Sequence, residues 1–348
     1  MKAFLTVTGR GLGGDAVIAL NMANARKKRG IECEIGLTET ASGQLFEKNG
    51  FNVRKILIPQ AGGHSATKLS ALKGALKLFT ATFKARSAIK KSDAEFVLAI
   101  LGGGAIVGSL GSKFARKPCF SLISTPLDSK VCPKFNQCYV LPELDKFRWE
   151  KLPKNMDKSF YPLSDDAGDG DEKIALEKLK EYDNFDENKK TILFSSGSSI
   201  FKGMIDAINM VAEASDEYNL VLVGSPLHEE YYDLMDERII YVGFIDWINH
   251  LFKFSDLTVL TDDGVSLEEA LVCQKPIIAL TRVKWGRYQN MAGVFKGAII
   301  ESEVEDVCKS IDEAFENYDS LKQAAEKYGI QCYEAADVLV DNILKKLE

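Results

Sequence analysis

The hydrophobic pattern of the chain alternates between short apolar runs, typical of buried strands, and longer segments with helical spacing. In the first half, the apolar runs predict strands at residues 3–8, 32–37, 53–58, 96–101 and 119–123. Segments with helical periodicity lie between them, at residues 15–29, 43–49, 66–91 and 107–115. Repeated strand–helix units of this kind predict a parallel, doubly wound sheet.

This alternation stops near residue 164 and resumes after residue 190. Residues 164–172 are acidic, small and glycine-containing, a composition typical of a solvated linker. Beyond the linker, strands are predicted at residues 191–194, 219–223, 239–242, 257–260, 277–280 and 298–300. We therefore expect an α/β protein with two Rossmann-like domains. The predicted boundaries are 1–160 for the N-terminal domain, 161–175 for the linker, 176–328 for the C-terminal domain and 329–348 for a C-terminal helix.

Composition and charge narrow the class of protein. A net charge of −6 disfavours nucleic acid as the main partner. The seven cysteines form no C-x-x-C pair, so we expect reduced thiols and neither a disulfide framework nor a zinc site. No cofactor and no metal are expected. The longest apolar stretch, residues 97–110, is too short for a membrane span, and the chain enters its first strand without a signal peptide. A soluble cytoplasmic protein is predicted.

Residues 261–276 are the most informative segment. A buried strand at 257–260 leads into a turn at 262–264, and a short helix follows until Lys275 and Pro276 end it. A helix N-terminus attracts diphosphate, and a carboxylate one turn into the helix can accept both hydroxyls of a ribose. Together these features predict a nucleotide-sugar site at the end of a parallel sheet. We expect Asp262 and Asp263 to cap this helix or to reach the donor's hydroxyls.

Glycine-rich segments follow three other predicted strands. Gly9, Gly11 and Gly14 match the G-x-G-x-x-G dinucleotide fingerprint, so NAD is one interpretation, with Glu39 as the ribose acid. A sugar- or acceptor-site loop and a plain tight turn are the other interpretations. Residues 102–104 and 195–199 form two further loops of small residues, whose backbone N–H groups can approach an anion. Because ligands of doubly wound sheets bind at the carboxyl edge, these loops are expected to line ligand sites.

Six segments, in order along nearly the whole chain, resemble the MurG-like family of GT-B glycosyltransferases. They are residues 11–15, 45–51, 196–199, 243–246, 266–270 and 287–290. The resemblance implies a GT-B fold, in which two Rossmann-like domains face each other across a cleft, and a C-terminal helix that packs back on the first domain. It also implies an inverting, metal-independent hexosyltransferase. Such an enzyme moves N-acetylglucosamine, or a related N-acetylhexosamine, from a UDP-sugar to a polyprenyl-diphosphate-linked sugar.

The resemblance also implies a set of site residues. Those on the UDP-sugar are Ser196, Gly197, Ser198, Ser199, Phe244, Ile245, Gly264, Val265, Ser266, Glu268, Glu269, Gln289 and Asn290. Among them Glu269 is expected on the ribose and Gln289 on the sugar hydroxyls, while Phe244 either stacks on the uracil or is an ordinary core residue. The acceptor-side loops are expected to contain Gly11, Gly13, Gly14, His64, Gly102, Gly103 and Gly104.

Asp15 stands where the family has a histidine at the end of its first loop. It is our candidate for the catalytic base, and the alternative is a plain N-cap of its helix. The arginine that the family has at the domain junction is missing. We therefore leave the acceptor open between a murein precursor, a pseudomurein-type precursor and another lipid-linked glycan. Two alternative functions are a UDP-N-acetylglucosamine 2-epimerase and a non-catalytic nucleotide-sugar-binding subunit.

The helix predicted at residues 66–91 is basic and amphipathic in an otherwise acidic chain. Its cations are Lys68, Lys73, Lys77, Lys84, Arg86, Lys90 and Lys91. One interpretation is that it lies on an anionic lipid surface and brings the enzyme to a lipid-borne acceptor. This would make the protein peripheral on the inner face of the cell membrane. The other interpretation is a core-facing helix whose lysines are simply in water.

Overall fold

The computed structural model describes residues 1–9, 11, 13–59, 68–142 and 151–348, with only the backbone of residues 68–76. The chain forms two compact units. The first contains Met1–Pro162 together with Ala335–Glu348, and the second contains Leu163–Glu334. Among the described helices, none is long and apolar enough to cross a membrane. All seven cysteines are free thiols.

The first unit is built on a seven-stranded parallel sheet in the order β3-β2-β1-β4-β5-β6-β7. Its strands are β1 (Lys2–Val7), β2 (Glu32–Thr38), β3 (Asn52–Ile56), β4 (Phe96–Ile100), β5 (Cys119–Ile123), β6 (Gln137–Val140) and β7 (Met156–Lys158). Its helices are α1 (Gly14–Lys27), α2 (Gln44–Lys48), α3 (Lys68–Lys91), α4 (Gly102–Ala115) and α5 (Pro126–Val131). The strand order reverses between β1 and β4, and ligands of such sheets bind at this point.

The second unit repeats this plan with six parallel strands in the order β10-β9-β8-β11-β12-β13. They are β8 (Lys190–Ile200), β9 (Tyr218–Pro226), β10 (Ile239–Gly243), β11 (Leu257–Thr261), β12 (Ile277–Leu280) and β13 (Ile299–Ser302). The helices are α6 (Glu172–Leu179), α7 (Lys202–Ala214), α8 (Ile248–Phe254), α9 (Ser266–Val272), α10 (Met291–Val294), α11 (Val307–Glu316) and α12 (Tyr318–Tyr333). Here the order reverses between β8 and β11.

Continuous apolar runs account for the central strands of both sheets. Every residue of β4, β5 and β11 is buried, as expected where helices cover both faces of a parallel sheet. In the second unit, α7 buries one face through Met204, Ile208 and Val211, which belong to the same apolar cluster as Phe194 and Leu222. The hydrophobic pattern therefore leaves the ends of the strands, and not the faces of the sheets, open to ligands.

The last helix, α13 (Ala335–Leu347), belongs to the first unit and packs against α1. The guanidinium group of Arg29 donates hydrogen bonds to Asp337 at 2.6 Å and to Asp341 at 2.7 Å. The acidic segment 164–172 belongs to the second unit, where the hydroxyl of Tyr333 donates to the carbonyl of Asp165. A Cβ atom on Gly170 would lie 2.3 Å from the carbonyl oxygen of Asn249. The segment has a glycine at this position because its backbone packs closely against that of Asn249.

Two of the predicted loops have regular structure. Residues 102–104 are the first turn of α4, and all three glycines are buried. A Cβ on Gly103 would lie 2.3 Å from the carbonyl oxygen of Pro59, and one on Gly104 would lie 2.7 Å from the amide nitrogen of Thr8. The glycines therefore let α4 approach the sheet. Residues 195–199 remain within β8, where the register with β9 shifts between Ser195 and Ser199.

Candidate active site

Three segments meet at the carboxyl edge of the second sheet, around the ammonium group of Lys284. Gly197, in the irregular part of β8, has φ +87°, and Gly264, in the turn after β11, has φ +95°. A Cβ atom at these positions would lie 3.7 Å and 3.8 Å from Nζ of Lys284. Because β8 and β11 are neighbours at the point where the strand order reverses, this is the position at which doubly wound sheets bind ligands.

The carboxylate of Asp263 pairs with Lys284. Its Oδ1 lies 2.6 Å from Nζ and also accepts a hydrogen bond from Oγ1 of Thr261 at 3.3 Å. The side chains of Lys284 and Asp263 are only 18% and 22% exposed. The sequence does not predict Lys284 as a site residue. A lysine in a loop has the same sequence signature whether it lies at a ligand site or on an ordinary surface.

The preceding residue, Asp262, holds the loop that connects β12 to α10. Its Oδ2 accepts a hydrogen bond from the backbone amide of Gln289 at 2.7 Å, and both residues are buried. Burial raises the pKa of Asp262 to about 6, although this hydrogen bond acts in the opposite direction. The N-cap of α9 is Val265, with no side-chain cap hydrogen bond. The prediction that Asp262 or Asp263 caps this helix is therefore wrong, because both side chains hold the loop after β12.

The two glutamates of α9 have different surroundings. Glu268 is completely buried, and after burial it is the next cause that raises the pKa of the Cys332 thiol on α12. Glu269 lines a cavity of about 150 Å³ together with Ser164, Asp166, Ala167, Asp246, Ile248, Asn249 and Phe252. Burial, and next the charge of Asp166, raises the pKa of Glu269 to about 7. The predicted ribose ligand thus shares a cavity with Asp246 of the 243–246 segment, whereas Glu268 belongs to the packing of α9 on α12.

Phe244 follows β10 directly and is 71% exposed, so it is not a core residue. Ser196 is buried and shapes the irregular part of β8, because its hydroxyl donates to the carbonyl of Ser199 and accepts from the amide of Phe201. Asn290 caps α10 by accepting a hydrogen bond from the amide of Gly293. Among the other predicted donor residues, Ser198 is exposed, while the half-exposed ones are Gly197, Ser199, Ile245, Gly264, Val265 and Ser266.

In the first unit, Asp15 lies in the first turn of α1 and is half-buried. Its Oδ2 is 3.7 Å from where a Cβ on Gly9 would be, so it lies against the end of β1. The N-cap of α1 is Gly13, with φ +95°, so the alternative that Asp15 is the N-cap is wrong. A Cβ on Gly13 or Gly14 would meet no described atom within 4 Å.

The remaining predicted acceptor-side residues are Gly11, His64 and the three glycines at 102–104. Gly102, Gly103 and Gly104 are completely buried, so their backbone packs inside the unit rather than lining a loop. Gly11 is also buried, with φ +76°, and a Cβ there would lie 1.9 Å from the carbonyl oxygen of Ser42. His64 lies outside the described residues.

Known proteins resemble both units. The model of the family "Glycosyl transferases group 1" matches residues 177–331, which lie within the second unit. The UDP-N-acetylglucosamine–N-acetylmuramyl-(pentapeptide) pyrophosphoryl-undecaprenol N-acetylglucosamine transferase of Sulfurihydrogenibium sp. is 23% identical over an alignment that covers 97% of each chain. The crystal structure of MurG from Acinetobacter baumannii has a TM-score of 0.66 at 16% identity and covers 99% of both chains. These comparisons support the prediction of a divergent MurG-like GT-B glycosyltransferase. The predictions of an α/β GT-B fold and of a hexosyltransferase are therefore confirmed.

The same fold occurs in other structures that were solved with UDP or a UDP-sugar bound. HepE from Anabaena, solved in complex with UDP, has a TM-score of 0.70 at 17% identity and covers 99% of both chains. The UDP-GlcNAc 2-epimerase from Neisseria meningitidis, bound to UDP-GlcNAc, has a TM-score of 0.66 at 15% identity. The alignment covers 99% of this chain and 100% of the epimerase chain. At these identities the solved structures show the shared fold alone, so the substrate of the enzyme must be argued from its own residues.

Proposed function

We propose that the enzyme transfers N-acetylglucosamine, or a related N-acetylhexosamine, from a UDP-sugar to a polyprenyl-diphosphate-linked sugar of a cell-wall precursor. The observation that carries this proposal is the arrangement at one edge of the second sheet. A cation lies beside two glycine turns there, and an acidic cavity contains Glu269 and Asp246. A relative whose name describes this reaction aligns along 97% of the chain, which supports it further.

The proposed donor pose follows from the chemistry of each group. The exposed ring of Phe244 gives the uracil a stacking surface at the end of β10. Glu269 accepts hydrogen bonds from the ribose hydroxyls, and such bonds to a carboxylate are stronger than those between neutral groups. The diphosphate lies near Gly197 and Gly264, where the absence of side chains lets an anion approach the backbone. We assign the sugar hydroxyls to Gln289, whose backbone amide is held by Asp262.

Transfer then needs a base on the acceptor side. We assign this role to Asp15, which takes the proton from the acceptor hydroxyl while its oxygen attacks the anomeric carbon. The bond between that carbon and the diphosphate oxygen breaks, UDP leaves with the electron pair, and the configuration at the carbon inverts. The reaction is proposed to need no metal. The glycine positions around Asp15 leave space for a sugar, since Gly13 and Gly14 carry no side chain.

A surface of the first unit supports an acceptor borne by a membrane. Three exposed rings form a cluster: Phe79 and Phe83 from α3 and Phe114 from α4. The centroids of Phe79 and Phe83 are 4.9 Å apart, and Phe114 stacks on Phe83 at 5.7 Å. The opposite face of α3 is buried through Ala81, Ala85, Ala88 and Ile89, so the helix has a core side and an aromatic side.

Basic residues flank this aromatic cluster. Nε of Arg86 donates to the carbonyl of Phe114, and Lys113 precedes Phe114 in α4. Lys84, which follows Phe83 in α3, pairs with Glu39 at 3.3 Å. Exposed aromatic side chains among cations are typical of proteins that bind a membrane surface peripherally. We propose that this cluster binds the enzyme to the anionic inner face of the cell membrane. Exchange of Phe79 and Phe83 for serine should abolish sedimentation with anionic vesicles, and unchanged sedimentation would remove the proposal.

The donor proposal is tested by thermal unfolding with UDP, UDP-GlcNAc, UDP-GalNAc, GDP-mannose and NAD. A ligand that binds only the native state raises the unfolding temperature, and at equal concentration a tighter ligand raises it more, because the stabilisation grows with the logarithm of ligand concentration over Kd. UDP and one UDP-N-acetylhexosamine are expected to stabilise the protein, and NAD is not. Protection by NAD alone would contradict the proposal. If UDP-GlcNAc is instead converted to UDP and free N-acetylmannosamine without an acceptor, the enzyme is an epimerase.

A further inference from the structure

The ammonium group of Lys284 lies beside bare backbone on two sides. A Cβ on Gly197 or Gly264 would be in van der Waals contact with it, at 3.7 Å and 3.8 Å. Both glycines have φ values, +87° and +95°, that other residues rarely adopt. No side chain at either position therefore separates the ammonium from the two turns.

The loop that contains Lys284 is fixed at both ends by adjacent aspartates. Asp262 binds the backbone amide of Gln289, and Asp263 pairs with the ammonium itself at 2.6 Å. With the loop held by Asp262, Lys284 can exchange its partner by rotating its side chain while the backbone stays in place. The pair is 18–22% exposed, so an incoming ligand can reach it from solvent.

We propose that Lys284 is the diphosphate-binding cation of the donor site. Asp263 pairs with its ammonium group until the diphosphate of the UDP-sugar displaces the carboxylate. This inference rests on the proposed donor and adds a residue to its site. A diphosphate carries more negative charge than one carboxylate and offers several acceptor oxygens, so it competes for the ammonium. When the bond to the sugar breaks, the departing UDP gains charge, and Lys284 neutralises it.

The test compares uridine with UDP and UDP-GlcNAc by calorimetric titration of the full chain. Lys284→Met should weaken binding of UDP and UDP-GlcNAc by about 10- to 100-fold, the range for losing a charged hydrogen bond, with little change for uridine. Lys284→Arg should restore part of the loss. Lys180→Met is the matched control, because Lys180 also pairs with an acid of the second unit, Glu187, and is exposed. This control should bind all three ligands like the native enzyme.

Two outcomes separate the inference from the proposed function. If the native enzyme binds UDP no better than uridine, the donor proposal itself fails. If it does prefer UDP and Lys284→Met keeps that preference, only the role of Lys284 is overturned.

Asp263→Asn distinguishes ligand binding from a structural ion pair. If Lys284 serves the diphosphate, removal of the competing carboxylate should leave UDP binding equal or tighter, because repulsion is removed and Lys284 is released. If instead Asp263→Asn weakens UDP binding as much as Lys284→Met does, the pair maintains the loop, and the inference is wrong. Thermal unfolding without ligand, measured for both variants, checks that each is folded.

Discussion

The carboxyl of Glu269, which is half-buried, is ionised at a cost that depends on pH, and Glu269→Gln should remove that cost. The carboxyl lines a small cavity, and burial together with Asp166 raises its pKa from 4.5 to about 7. The native state therefore holds a proton that the unfolded chain releases between these two pH values. For a raised carboxyl pKa the penalty is absent below pH 4.5, grows as the pH rises, and is complete above about pH 7.

The size of this effect follows from the shift. Each pKa unit corresponds to about 1.36 kcal/mol, so the carboxylate destabilises the native state by up to about 3 kcal/mol at pH 8. Urea unfolding of Glu269→Gln should show a gain of this order at about pH 8 and a much smaller difference at about pH 5. Asp166→Asn, which removes the second cause and keeps the glutamate, should give a smaller gain.

The same titration should govern donor binding if Glu269 accepts the ribose hydroxyls as a carboxylate. The affinity for UDP-GlcNAc should rise by up to about tenfold from pH 6 to pH 8, because the ionised fraction of a group with pKa near 7 grows by that factor. UDP-GlcNAc is the ligand to use, since the terminal phosphate of UDP itself titrates near pH 6. Glu269→Gln should bind more weakly and lose this pH dependence. A variant with native affinity and a native pH profile would refute the ribose assignment.

Three further predictions concern catalysis and packing. Asp15→Asn should lower kcat by about 100-fold or more while the Kd for UDP-GlcNAc stays unchanged, measured by product formation and calorimetry; native kcat would exclude Asp15 as the base. Gly103→Ala should cost about 1–3 kcal/mol in urea unfolding, because its Cβ would overlap the carbonyl of Pro59, whereas Gly14→Ala, with no described atom within 4 Å, should be neutral or stabilising. Incubation with EDTA should leave kcat unchanged if transfer needs no metal, and a loss restored by a divalent cation would show the opposite.

The hydrophobic pattern was sufficient for the central strands. The apolar runs that become β4, β5, β11 and β12 were located to within one residue, because strands buried on both faces contain few polar positions. Short peripheral elements such as β6, β7, α5, α6 and α8 were not predicted. Their apolar pattern is too weak to recognise: β7 has one buried residue followed by two exposed charged ones, whereas β12, which is also short, is apolar throughout.

The site could be predicted only in part, because a sequence shows which residues follow a strand but not which of them meet. The position of Glu269 at the sheet edge followed from the strand–turn–helix pattern after residue 257. The sequence did not predict that Asp262 and Asp263 hold the loop after β12. Their partners, Gln289 and Lys284, are more than 20 residues away in the chain. The sequence predicts a ligand loop at the glycines 102–104, but in the structure these glycines let a helix approach the sheet closely.

The most direct measurement of the central claim is transfer of labelled sugar from UDP-GlcNAc to a polyprenyl-diphosphate-linked sugar in vesicles. We expect labelled lipid and an equal amount of UDP, with the anomeric configuration inverted relative to the donor, and no labelled lipid with Asp15→Asn. UDP release with free sugar as the only product, or product with the donor's configuration retained, would contradict it.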